Sequence, residues 1–234
     1  MFAIYKKELR TYFAGPIGYT FVALFLCISS LLFTYTTLYN GTCEINVYYA
    51  FLLYVFAILI PLLTMRMLSE EKKTKTEQIL LTSPVSLFSV IFAKYLAAFT
   101  LFAGTLLTSC LNFVILYFYG EPSTVIMFST TLGILLIGSA FVAIGIFISA
   151  CTENQLISAL LTIAAIAATL VIGTLANYVT FTPLRVALKW ISIFDRFYVF
   201  TYGYFDLVAL LYYVSITVVF LFLTVRVFEK RRWE

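Results

Sequence analysis

Six long runs without a charged residue alternate with charged breaks of varied length along the chain. They are Ile17–Tyr39, Val47–Met65, Tyr95–Tyr119 (entered from about Leu87), Val125–Ala150, Leu156–Val179 and Leu207–Val225. About 20 apolar residues cross the hydrocarbon of a bilayer as a helix. In lipid the backbone must satisfy its own hydrogen bonds, which selects helices for such runs. The pattern predicts an all-α polytopic membrane protein with about six transmembrane helices in a single domain, residues 1–234.

Composition agrees. The chain is 63% hydrophobic and 11% charged, against about 25% charged for a soluble domain. Basic residues gather beside the spans and form no soluble basic face, which argues against a nucleic-acid partner. If the N-terminus is inside, twelve of the fifteen basic residues fall on the inner side, from Lys6, Lys7 and Arg10 to Arg226, Lys230, Arg231 and Arg232. Only Arg185, Lys189 and Arg196 fall outside. This bias predicts both termini in the cytoplasm. The first apolar run is too long for a signal-peptide core and is expected to be a retained span.

Several chemistries are excluded. Without histidine there is no Ser-His-Asp or Cys-His catalysis and no His-based metal site. Cys27, Cys110 and Cys151 read as small hydrophobes, and Cys43 lies in a predicted outer loop where it could pair with another chain. The sequence holds no G-x-x-x-x-G-K-[ST], so ATP cannot be bound that way here. Asp195 and Asp206 would be the only pair to suggest an intramembrane aspartyl protease, but Gly203-Tyr204-Phe205-Asp206 is not its G-x-G-D pattern. A secondary transporter would need ionisable groups within its spans, and the predicted spans carry none.

Within the bundle, the fourth run repeats small residues (Gly133, Gly138, Ser139, Ala140, Ala143, Gly145, Ser149), and the fifth resembles it with Ala159, Ala164, Ala165, Ala167, Ala168 and Gly173. Small residues let helices approach closely, so both spans are expected inside the bundle or at a subunit interface, with the bulkier first and third facing lipid. Tyr35, Tyr39, Tyr48, Tyr49, Tyr117 and Tyr119 fall at predicted outer ends and read as an interfacial belt.

Three segments lie outside the spans. In the first, Phe2, Tyr5, Leu9, Tyr12 and Phe13 share one helical face while Lys6, Lys7 and Arg10 point elsewhere, as in a helix lying in the membrane interface. Gly15-Pro16 ends it. The second, Arg66–Pro84, is the largest charged stretch. Thr74-x-x-Glu77 matches a capping box, predicting a short helix with Ile79, Leu80 and Leu81 apolar, covered either by the bilayer surface or by a cytoplasmic partner. The third, Thr180–Phe205, is long for a turn and carries Asp195 and Arg196. These two either line an outer vestibule or anchor at headgroup level.

Four stretches carry a family resemblance. They are Lys7-Glu8-Leu9 with Tyr12-Phe13 and Pro16–Tyr19; Pro61–Arg66 through Glu70-Glu71 and Thr76 to Leu80–Ser86 and Lys94; Thr152–Gln155; and Gly203 with Asp206-Leu207, Tyr213, Ser215 and Glu229–Trp233. Together they resemble the ABC type-2 exporter permeases of the gliding-motility-type subfamily over nearly the whole chain. The resemblance implies a permease subunit of an ATP-driven exporter in the bacterial cytoplasmic membrane, not itself an enzyme and holding no cofactor of its own. ATP and Mg would sit on a separate cytoplasmic ABC ATPase subunit.

It implies a coupling helix over Thr74–Thr82 that docks on that ATPase, with Glu70, Glu71, Thr74, Thr76, Glu77, Ile79, Leu80 and Leu81 at the contact. It also implies an outer re-entrant segment bearing Asp195, Arg196 and Asp206, and a second permease copy or related permease to complete the pore, all in membrane lipid. The sequence departs from relatives at Gln78, where they commonly carry Glu, and at Lys75, where they commonly carry Gly. Lys75, the better helix former, is expected to favour the helix start. The alternative role for such a complex is an energised anchor or sensor for motility or envelope machinery.

Overall fold

The computed structural model describes residues 1–41, 45–76, 86–119, 122–176, 178–179, 181, 183, 185, 188–189 and 192–232. All regular structure among them is helical: α1 Phe2–Ala14, α2 Pro16–Phe33 with a closing π-turn Thr34–Leu38, α3 Asn46–Thr64, α4 Ser69–Lys73, α5 Leu87–Ser109, α6 Asn112–Tyr119, α7 Thr124–Cys151, α8 Gln155–Ala176, α9 Ile193–Thr201 and α10 Leu207–Arg232. Six helical stretches are long and apolar enough to span a membrane, at 16–38, 46–73, 87–118, 124–151, 155–176 and 207–230.

Capping explains several boundaries. Gly15 and Pro16 separate α1 from α2, with Pro16 in the first turn, where its missing N–H costs nothing. Asn154 Oδ1 accepts the Leu156 N–H at 2.9 Å and opens α8. Asp206 Oδ1 accepts the Val208 N–H at 2.9 Å and opens α10. Both are side-chain N-caps. Asp206, expected in an outer re-entrant site, is thus engaged in starting the sixth span.

The hub is α7, which touches α3, α5, α8, α9 and α10. Its small residues allow this. A Cβ on Gly138 would overlap the Phe102 ring of α5, and one on Gly145 would overlap Thr64 Oγ1 of α3. Beside it the first three spans lock through aromatic rings: Phe25 stacks on Phe56 at 5.2 Å, and Phe56 meets Phe102 edge-on at 4.9 Å.

Of the two places expected for span five, the inside of the bundle is not the one it takes in the single chain: Leu156, Ile157, Leu160, Leu161, Val171 and Leu175 of α8 are exposed, because its bulky residues face away from α7. Two expectations change. Tyr48 and Tyr49 are not belt residues. They are buried, and they bond Ser29 Oγ at 2.8 Å and Thr131 Oγ1 at 2.6 Å, whereas Tyr35, Tyr39 and Tyr117 are exposed. The Tyr119 side chain lies outside the described residues. The third span begins at Leu87, the earlier entry expected for it, so Lys94, read as a flanking cation, lies about two turns inside the helix.

Close packing at α7 sets a testable contrast. Gly145→Ala is expected to destabilise the bundle by about 1–3 kcal/mol through overpacking. Gly104→Ala, with open space around the new methyl, should be neutral or slightly stabilising. Thermal unfolding in detergent distinguishes them.

Candidate functional site

The segment after span two, Arg66–Thr76, gathers six charged residues at one end of the bundle. Its helix α4 has five residues, too short to hold alone. Tertiary bonds hold it instead. Ser149 Oγ, near the end of α7, accepts the Leu68 and Ser69 N–H groups at 3.2 and 3.1 Å and donates to Met65 O at 3.3 Å. That uses the full hydrogen-bonding capacity of a hydroxyl. Ser69 Oγ also donates to Met65 O. Arg66 clamps Glu70 in bidentate fashion, Nε to Oε2 at 2.8 Å and Nη2 to Oε1 at 2.6 Å.

The capping box at Thr74 reaches Glu77, which lies outside the described residues. Thr74 is the C-cap of α4, and its hydroxyl donates backwards to Glu70 O at 2.8 Å. Lys75 follows at φ 57, in the left-handed region. Leaving a helix through this conformation is the usual role of glycine, because a Cβ there crowds the following carbonyl. Lys75 therefore closes α4 in a strained conformation.

At the centre of the site lies Lys94 of α5. Its side chain is 2% exposed, and its ammonium donates to Glu71 Oε1 at 2.7 Å, Glu8 Oε1 at 3.1 Å and Met67 O at 3.2 Å. All three donors of the ammonium are used. One cation thereby joins α1, the Arg66–Thr76 segment and the third span. The cluster explains why α1 docks rather than lying free: Tyr5 donates to Thr100 Oγ1 and Tyr12 to Leu63 O, both at 3.3 Å. Burial, with the charge of Glu8 beside it, holds the Tyr12 phenol above its ordinary range, so it stays a donor. A further tie runs to span six, where the buried Lys72 ammonium sits 5.8 Å from the Phe228 ring centre.

The expected site residues are partly brought together. Glu70, Glu71, Thr74 and Thr76 share one cavity wall with Lys7 and Glu8. Glu77, Ile79, Leu80 and Leu81 lie outside the described residues, as do most of Thr74–Thr82 and Cys43. On α1, Phe2, Lys6, Lys7 and Arg10 are exposed, while Tyr5 turns inward. At the opposite end Arg196 stacks over the Tyr212 ring at 4.4 Å. The Asp195 side chain lies outside the described residues. There α9 is fixed by Tyr213 Oη donating to Ile193 O at 2.7 Å and by Thr130 Oγ1 donating to Phe200 O at 3.3 Å.

Sequence reasoning missed Glu8, Lys94 and Ser149 as functional positions. Lys94 entered only as a flanking cation and as one residue of the family resemblance. The signal was a lone lysine inside Leu87–Ser109, a run that is otherwise uncharged.

The chain is thus an all-helical bundle with six helices long and apolar enough to span a membrane, and its ionic cluster lies where the loop after span two meets the N-terminal helix. A family described as ABC-2 family transporter protein matches residues 29–228, and the chain belongs to that family. It is the permease component of an ABC transporter: the membrane subunit and not the ATPase. Membership implies a partner ATPase subunit. No curated protein matches the chain.

Two outcomes follow for this site. Lys94→Ala leaves two carboxylates facing each other and should cost about 3–5 kcal/mol, read as a lower unfolding temperature in detergent, with Lys94→Arg retaining part of the stability. Lys75→Gly should leave the protein as stable or raise stability by up to about 1 kcal/mol, while the β-branched Lys75→Val should lower it.

Proposed function

We propose that this chain is the membrane half of an exporter of the gliding-motility-type ABC-2 subfamily, in a bacterial cytoplasmic membrane with both termini inside. Hydrolysis of ATP, with Mg, takes place on a separate cytoplasmic ATPase subunit, and a second permease copy or a related permease completes the pathway. The segment from Glu70 to Leu81 receives the ATPase, with Glu70, Glu71, Thr74, Thr76, Glu77, Ile79, Leu80 and Leu81 at the contact.

The observation that supports this role is the set of ties made by Arg66–Thr76. The segment is bound to span three and α1 through Lys94, to span four through Ser149 and to span six through Lys72 and Phe228. A displacement of this loop therefore reaches elements that are far apart in sequence. The bias of basic residues toward this end supports its cytoplasmic placement.

A tagged permease purified gently from membranes should bring down a P-loop ATPase. Leu80→Asp and Glu77→Lys should lose it. Lys94→Met should keep the ATPase bound but reduce transport-coupled hydrolysis. Absence of any ATPase from the wild-type preparation would sink the assignment of this loop as the coupling element.

A further inference from the structure

We propose that the cavity between α1 and the Arg66–Thr76 segment holds one phospholipid with a primary-amine headgroup, of the phosphatidylethanolamine class. The cavity encloses about 610 Å³. One side is apolar, formed by Ala14, Pro16, Ile17 and Leu63 where the first span begins and the second ends. The other side is ionic, and its charges are ordered by depth. Lys94 is closed off at 2% exposure, Glu8 and Glu71 stand in front of it at 14% and 19%, and the Arg66–Glu70 pair lies further out at 38% and 39%.

Two carboxylates thus share one ammonium at the inner end, with the charge of Lys7 acting on Glu71 from the mouth. Glu71 Oε2 is buried and accepts no hydrogen bond from any described residue. A carboxylate in that position calls for a cationic N–H donor. At the mouth, Lys7 is exposed, lines the same cavity and makes no ion pair among the described residues. It suits the headgroup phosphate. The order of charges, carboxylate inside and cation outside, is complementary to a zwitterion that enters amine first, with its acyl chains along the apolar wall. A choline headgroup presents a cation without N–H donors. A glycerol headgroup presents no cation at all.

The test uses the intact permease without any ATPase, so its result is independent of the coupling role. The protein is assembled into nanodiscs of equal parts phosphatidylethanolamine, phosphatidylcholine and phosphatidylglycerol, then released and weighed by native mass spectrometry. One phosphatidylethanolamine per chain should be retained, in about tenfold preference over the other two, the ratio expected when charge-assisted hydrogen bonds are lost. Successive N-methylation of the headgroup should reduce retention stepwise. Ala14→Trp, at an exposed position on the apolar wall, should abolish the preference by filling the cavity. Equal retention of all three lipids, or unchanged preference in Ala14→Trp, would overturn the proposal.

Discussion

An ammonium enclosed at the end of a membrane-spanning helix is tolerable only when every donor finds an acceptor and its charge is met. Lys94 meets both conditions by drawing one carboxylate from the N-terminal helix and another from the loop after span two. That requirement organises the whole basic end. The N-terminal helix must dock rather than drift along the membrane surface, and the loop must fold back over the third span. Neither element has enough apolar contact of its own to fix its place: α1 buries no residue fully, and α4 is a little over one turn long.

Beneath this polar end the bundle depends on a different economy of space. Lipid offers no hydrophobic drive for helices to associate, so close backbone approach and interdigitation carry the packing. The central α7 achieves this with glycines that admit Phe102 from one side and Thr64 from another. The helices around it can keep bulky apolar residues on their outer faces, as α8 and α10 do. The two layers of organisation meet at Ser149, which belongs to the packed helix and binds the polar loop.

The six spans were legible in the sequence because charge-free length is a direct consequence of the solvent. Small residues likewise marked span four as central. For span five the same signal left two places open, the bundle interior and a subunit interface, since alanine content shows that a close approach is permitted and not which neighbour makes it. Tyrosines 48 and 49 were misread because position near a helix end does not reveal which way a ring points, and here buried hydroxyl partners turned them inward. Glu8, Glu71 and Lys94 could not be joined from sequence, because their pairing depends on how three separate elements converge. Thr74 and Lys75 illustrate local ambiguity: the pattern that suits the start of one helix is used by the described residues to end another.

The triple engagement of Ser149 has a mechanical corollary. The start of α4 is oriented by a hydroxyl on the fourth span, although the chain connects it to the second. Rotation of the fourth span about its own axis would swing that hydroxyl and turn the short helix with it. In the opposite direction, torque applied at the loop would reach the most enclosed helix of the bundle through that hydroxyl. The loop thus acts less like a handle fixed to its own rod than like a crank set on a neighbouring shaft.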